Sequence, residues 1–178
     1  MLACDFFTVE TVFLKTIYVL FFIELNTRRV YLAGCTQHPD STWIIQQARQ
    51  FTWRLQDDFT VKRFLIHDRD GKFTKAFATV FATEGIEAIW TPFRAPNANA
   101  FAERWVRSVR NESLDHLLIF SEGHLRRVLT EYVAYYNTAR AHQGLHQQSP
   151  IPLQSTSKRG SIHCRDVLGG IDYWREAV

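Results

Sequence analysis

The chain has 178 residues, 46% hydrophobic and 22% charged, a composition typical of one globular domain and unlike that of a disordered chain. Its net charge is only +3, and residues 1–90 balance their charges, so the positive excess lies in residues 91–178. This mild basic bias is compatible with a polyanionic partner but does not identify one.

The cysteines and the apolar runs exclude several protein classes. Cys4, Cys35 and Cys164 are odd in number and widely spaced, which argues against a disulfide framework and a structural zinc site. No apolar run approaches the roughly 20 residues that cross a bilayer, and no signal peptide is recognisable. We therefore expect a cytoplasmic protein with no membrane partner.

The first part of the chain predicts strands. Residues 2–9, 16–25 and 29–35 are rich in apolar, β-branched and aromatic side chains, and the turn sequence at 26–28 joins the last two segments as a hairpin. Asp40 or Ser41 is expected to cap a helix that reaches about Leu55. Residues 61–67 then form a fourth strand, which is mostly apolar and therefore central.

Helices and strands alternate through the rest of the chain. A helix over 74–84 is expected to stop at Gly85, and residues 86–90 form a short fifth strand. A long helix is expected to begin near residues 97–99, and another helix is expected to span about 121–137. Residues 143–161 are expected to be irregular, and 163–178 to add a strand or a short helix. This order predicts a layered α/β domain with a mixed sheet.

Three acidic residues occupy positions that suit a metal site. Asp5 lies inside an apolar strand, Asp68 closes the fourth strand, and Glu103 begins a helix after a Pro-containing loop. Carboxylates that converge repel one another unless a cation neutralises them, and such hard oxygen ligands suit Mg²⁺ or Mn²⁺. Two such ions about 4 Å apart can drive an in-line phosphoryl displacement. Each residue alone also has an ordinary explanation, as a strand-edge charge, a turn residue or a helix-terminal acid.

The helix that begins near Glu103 also carries arginines. Arg107 and Arg110 fall within about 40° of Glu103 around the helix axis, which favours a surface that follows DNA phosphates. The alternative is a Glu–Arg ion pair on a solvated helix. The neighbouring stripe is apolar and is expected to face the core: Ala102, Trp105, Val106 and Val109.

Three segments resemble the acidic motifs of the integrase-core (DDE) superfamily, which includes retroviral integrases and bacterial insertion-sequence transposases. They are residues 4–9 (CDFFTV), 66–73 (IHDRDGKF) and 96–105 (PNANAFAERW). The 34 residues between Asp68 and Glu103 (positions 69 to 102) are close to the family's characteristic interval. Residues 135–137 (YYN), 140–145 (RAHQGL) and 149–150 (SP) are similar to the tail that follows the core in the bacterial transposases.

This resemblance implies an RNase H-like fold, with a mixed five-stranded sheet flanked by helices, a catalytic core over 1–140 and a C-terminal tail over 141–178. It implies that Asp5, Asp68 and Glu103 are catalytic ligands of Mg²⁺ or Mn²⁺. Water would attack a phosphodiester at the element's end, and the freed 3′-hydroxyl would attack target DNA without a covalent protein–DNA intermediate. The implied partners are both DNAs, with a homo-oligomer assembled on them.

Two departures from the family pattern leave alternatives open. Asp70 stands where the second motif usually has Gly, so it rivals Asp68 as the second ligand, although an ungapped match through Phe73 favours Asp68. Only four residues precede Asp5, whereas the family's transposases usually carry a helix-turn-helix region before the core. The alternatives to a transposase are a nuclease of the same fold and a catalytically inactive or truncated DNA-binding remnant.

Overall fold

The structure is a computed structural model that describes residues 1–56, 61–91, 100–152, 162–168 and 172–177. Its strands and helices, in chain order, are β1 (Leu2–Glu10), β2 (Thr16–Glu24), β3 (Val30–Thr36), α1 (Ser41–Gln56), β4 (Phe64–His67), α2 (Lys75–Ala82), β5 (Glu87–Trp90), α3 (Ala100–Glu112), α4 (Glu122–Thr138), β6 (Ile162–Val167) and β7 (Asp172–Ala177). None of the helices in these ranges has the length and apolar content needed to span a bilayer.

A mixed five-stranded sheet in the order β3-β2-β1-β4-β5 forms the centre of the fold. β1 pairs antiparallel with β2 and parallel with β4, which in turn pairs parallel with β5. The mixed five-stranded sheet that the resemblance implied is confirmed, with the β2-β3 hairpin on one side of β1 and β4-β5 on the other, although β4 begins at Phe64 rather than Val61. The C-terminal segment, expected to hold one strand or helix, forms the separate two-stranded sheet β6-β7.

Each face of the sheet has its own hydrophobic core because successive side chains of a strand point to opposite sides. Leu2 and Cys4 of β1 pack with buried residues of α1 and α2 on one face. Ala3 and Phe7 pack on the other face with α3 and α4, where the Trp105 ring lies 5.6 Å from the Phe7 ring. Asp5 shares the parity of Ala3 and Phe7, so it belongs to the α3 face.

Local signals fix the ends of several helices. The Asp40 Oδ1 accepts the N–H of Trp43 at 2.7 Å, so Asp40 rather than Ser41 caps α1. Ser121 caps α4 in the same way, through the N–H of His124. Gly85 has a φ of +71°, the left-handed conformation expected where the chain leaves α2.

The chain that leaves α4 is tied back to the domain. Asn137 pairs with the backbone of Val30 on the edge strand β3: its Oδ1 accepts the Val30 N–H at 2.9 Å, and its Nδ2 donates to the Val30 carbonyl at 2.8 Å. Arg140 donates from Nε and Nη2 to the two carboxylate oxygens of Glu112 at 2.8 and 2.5 Å. Residues 137–151 therefore continue the domain, with His142 buried beside Tyr136.

Candidate active site

The parallel register of β1 and β4 brings two of the predicted carboxylates to the same level. Ala3 pairs with Ile66, and continuing this register by two residues places Asp5 opposite Asp68. Neighbouring strands lie about 4.8 Å apart. Ala3 and Ile66 both pack into the core under α3, so the alternation of side chains directs the two aspartates to that face as well.

The charges on these aspartates also influence a shared neighbour. Burial, followed by the negative charges of Asp5 and Asp68, raises the pKa of the Cys4 thiol well above its usual value. Both carboxylates are half-buried and accept backbone N–H groups: Asp5 Oδ1 from Phe6 at 2.7 Å, and Asp68 Oδ1 from Asp70 at 3.1 Å. These hydrogen bonds orient the two carboxylates at the centre of the sheet.

Asp70, the rival second ligand, is engaged in its own turn. Its Oδ2 lies 2.6 Å from Lys72 Nζ, and its Oδ1 accepts the Lys72 N–H at 3.0 Å. Partial burial raises the pKa of Asp70, but the hydrogen bonds and charge of Lys72 outweigh it and leave that pKa below its usual value. This carboxylate is already neutralised by a cation, which favours Asp68 as the residue left for a metal.

The His67 side chain lies on the opposite face of β4, the face that α1 and α2 cover. Its ring packs against Phe73 at 5.0 Å, and its Nδ1 lies 2.7 Å from the Asp68 carbonyl oxygen. Burial lowers the pKa of His67, although the hydrogen bond and the charge of Asp68 oppose the shift. The neutral ring therefore donates Nδ1–H to that carbonyl and fixes the backbone at the end of the strand.

Helix α3 carries Glu103 along the face that the aspartates share. Near the start of the helix the Arg28 guanidinium lies 3.4 Å from the centre of the Phe101 ring, and near its end Arg110 Nη2 donates to the Thr8 carbonyl at 2.7 Å. Glu103 lies between these two contacts and is exposed. Within the ranges that the structure describes, no three His, Cys, Asp or Glu side chains are close enough to hold a metal ion. Convergence of Glu103 on the aspartates stays a prediction.

The two arginines predicted to follow DNA differ in their surroundings. Arg107 is exposed, and no salt bridge joins it to Glu103 in the described structure. Arg110 is half-buried, bonded to the Thr8 carbonyl and placed 5.9 Å from the Phe7 ring, so it anchors α3 to β1. The apolar stripe behaves as expected, since Ala102, Trp105 and Val109 are buried.

Sequence reasoning missed two groups, Trp90 at the end of β5 and Arg28 beside α3. Trp90 ends β5 opposite His67 and is 62% exposed, with the Arg69 guanidinium 6.0 Å from its ring. Arg28, in the turn before β3, reaches the first turn of α3 across 73 positions of sequence. An apolar strand end was the available signal for Trp90, whereas nothing local connects Arg28 with α3.

Comparison with known proteins identifies the relatives of this fold. Residues 84–150, which include α3 and α4, match the family model described as the integrase core domain. No curated protein is similar enough in sequence to count as a match.

Solved structures extend the likeness over most of the chain. The HTLV-2 integrase catalytic core domain in complex with magnesium is 10% identical, with a TM-score of 0.59 over 82% of this chain and 90% of that one. The BIV integrase catalytic core is 16% identical, with a TM-score of 0.53 over 83% and 90%. The catalytic domain of the Mos1 mariner transposase is 14% identical, with a TM-score of 0.59 over 75% and 69%. At these identities the structural likeness shows a shared fold, the RNase H-like fold of integrase and transposase catalytic cores. The match to the integrase core domain over residues 84–150, which include α3 and α4, agrees with this fold.

Proposed function

We propose that this chain is the catalytic core of a DDE-type transposase or integrase, a polynucleotidyl transferase that cuts and joins DNA. The family match and the fold support a role in DNA integration or transposition. The observation that supports the catalytic proposal is the parallel register of β1 and β4, because its continuation past Ala3–Ile66 would bring Asp5 near Asp68, which directly follows β4, on the face that α3 covers.

The proposed ligands of Mg²⁺ or Mn²⁺ are Asp5, Asp68 and Glu103. The donor set fits such ions, since the adjacent carboxylates supply hard oxygen atoms and the rival Asp70 is neutralised by Lys72. When bound, these ions activate the attacking oxygen and stabilise the leaving oxygen of an in-line displacement.

The protein's own contribution is to orient these groups. Backbone N–H groups hold the Asp5 and Asp68 carboxylates, and the buried Ala102 and Trp105 fix the first turns of α3 from which Glu103 projects. In the first step, a water oxygen bonds to phosphorus while the bond to the 3′-oxygen breaks, leaving a 3′-hydroxyl and a 5′-phosphate. In the second, that hydroxyl attacks a target phosphodiester and displaces the target's own 3′-oxygen, so the number of phosphodiester bonds is conserved.

Several wider assignments belong to this proposal. The partners are the DNA of the element ends and of the target, with several copies of the chain assembled on them. We assign residues 1–140 to the catalytic core and 141–178 to its C-terminal tail. A cytoplasmic location fits the free, buried thiols of Cys4 and Cys35, which suit a reducing compartment.

The test is a strand-transfer assay with a labelled, recessed duplex in Mg²⁺ and in Mn²⁺. Asp5→Asn, Asp68→Asn and Glu103→Gln should each abolish nicking and joining while the protein stays folded by circular dichroism. Asp70→Asn is the matched control and should retain activity. Full activity of Asp68→Asn together with inactive Asp70→Asn would reverse the assignment of the second ligand.

The same assay separates the alternatives. Nicked product without joined product would identify a nuclease of this fold. DNA binding without turnover in either ion would identify an inactive DNA-binding remnant, and both results would overturn the transferase proposal.

A further inference from the structure

A polar cavity of about 390 Å³ lies beside α3, and neither Asp5 nor Asp68 belongs to its lining. It is enclosed by the turn before β3, the first half of α3, the end of α4 and the start of the tail. Its charged lining residues are all arginines: Arg28, Arg104 and Arg140. The described lining contains no Asp or Glu, so the cavity is electropositive.

Only one of these three charges is neutralised. Arg140 is neutralised by its bidentate ion pair with Glu112. Arg28 and Arg104 take part in none of the salt bridges of the described chain, and Arg28 Nη1 is buried without a hydrogen-bond partner there. Both guanidinium groups belong to the lining of this cavity, and burial followed by the charge of Arg104 lowers the pKa of Arg28. A buried donor and two like charges without an anion are both unfavourable.

The backbone and the packing hold Arg28 in this place. Its φ is +66°, a left-handed conformation that is unfavourable for an arginine relative to the right-handed region. The face of its guanidinium is covered by the Phe101 ring at 3.4 Å, which leaves the N–H edge of the group for hydrogen bonding. The side chain is therefore pre-organised, and strain of this kind is common at binding sites.

We propose that Arg28 and Arg104 form a subsite that holds one backbone phosphate of the DNA, separate from the three carboxylates. Guanidinium groups bind phosphate oxygens in pairs of parallel hydrogen bonds, and two of them would satisfy the buried donor and remove the repulsion between the charges. This inference rests on the proposed function. A DNA phosphate is favoured over a free anion because Arg104 directly follows the proposed ligand Glu103, so both residues lie on the same turn of α3.

The test is DNA binding without catalysis. A labelled duplex is titrated in EDTA at several salt concentrations against wild type, Arg28→Gln, Arg104→Gln and the double variant. Loss of one phosphate contact should flatten the log–log salt slope by roughly 0.9 and weaken binding about tenfold at low salt. Arg127→Gln is the matched control, because Arg127 is an exposed arginine on α4, outside the cavity lining, and should bind like wild type. Arg104 is exposed, so its variant should fold even if Arg28→Gln does not.

A second measurement identifies the source of the phosphate. Inorganic phosphate is titrated by calorimetry into wild type and into the double variant, with and without saturating duplex. Competition between phosphate and duplex, lost in the double variant, is the expected result. Phosphate binding that duplex leaves unchanged would assign the pocket to a free anion and overturn the proposal, as would an unaltered salt slope in the double variant.

Failure of this inference is distinguishable from failure of the proposed function. An unaltered slope with normal strand transfer removes the subsite and leaves the transferase. A flattened slope in a protein that never cleaves DNA keeps the subsite and removes the transferase.

Discussion

Asn137 gives the sharpest test of the packing that supports the site. Its side chain is 7% exposed and forms two hydrogen bonds with one residue of β3, the N–H and the carbonyl of Val30. β3 is an edge strand, so these backbone groups face away from the sheet and toward α4. Replacing Asn137 by Ala leaves both groups buried without a partner.

The free energy of unfolding that Asn137→Ala loses can be estimated from these two hydrogen bonds. Each buried backbone group left without a partner costs about 1–3 kcal/mol, and partial hydration at a sheet edge reduces the total to about 2–4 kcal/mol. In a chain of this size, 1 kcal/mol lowers Tm by about 2–4 °C, so Asn137→Ala should lower Tm by about 4–16 °C. Asn137→Asp keeps an acceptor for the Val30 N–H but sets a negative charge against the Val30 carbonyl. It should be at least as destabilising at neutral pH, and less so once the carboxylate is protonated.

Thermal and urea unfolding followed by circular dichroism would measure both variants. Asn111→Ala is the control, because Asn111 is exposed on α3 and should change the free energy of unfolding by less than about 0.5 kcal/mol. If Asn137→Ala unfolded within 0.5 kcal/mol of wild type, the two hydrogen bonds would not be holding α4 to the edge strand.

Three further predictions concern Arg140, His142 and Trp90. Arg140→Met breaks the bidentate ion pair with Glu112 and should lower the free energy of unfolding by about 2–3 kcal/mol. Arg126→Met removes the more exposed ion pair with Glu122 and should change the free energy of unfolding by under about 1 kcal/mol in the same thermal and urea melts. Burial lowers the pKa of His142, the carbonyl that it contacts opposes the shift, and Arg140 adds to it. The unfolded state therefore binds more protons, so stability should fall as the pH drops below about 6.5, and His142→Gln should flatten this dependence in urea melts at several pH values. If a base stacks on the exposed ring of Trp90, Trp90→Ala should weaken binding of labelled single-stranded DNA by roughly 5-fold to 150-fold. Trp53, a similarly exposed tryptophan on α1, provides the control variant Trp53→Ala. Equal losses of affinity in the two variants would refute the stacking role of Trp90.

The sequence by itself determined the elements and the fold class. Apolar β-branched runs, the helical spacing of Trp105 and Val109, and the cap and stop residues are local signals, because they depend on neighbours within a turn or two. The position of Asp68 at the end of a strand was also predictable, because the apolar run before it and the turn sequence after it are local signals. The ordered acidic motifs then indicated the integrase-core resemblance, and the integrase core domain model matches residues 84–150 while the solved cores share the fold.

Only the tertiary structure decided which groups meet. The register pairs Ala3 of β1 with Ile66 of β4, and the path of α3 turns Arg110 toward the Thr8 carbonyl, 102 positions away in sequence. Arg28 gave no signal at all, since Phe101, whose ring its guanidinium contacts, lies 73 positions later in the chain, on α3. Such contacts depend on how sheet twist and core packing place whole elements, and periodicity within one element carries no information about the position of another.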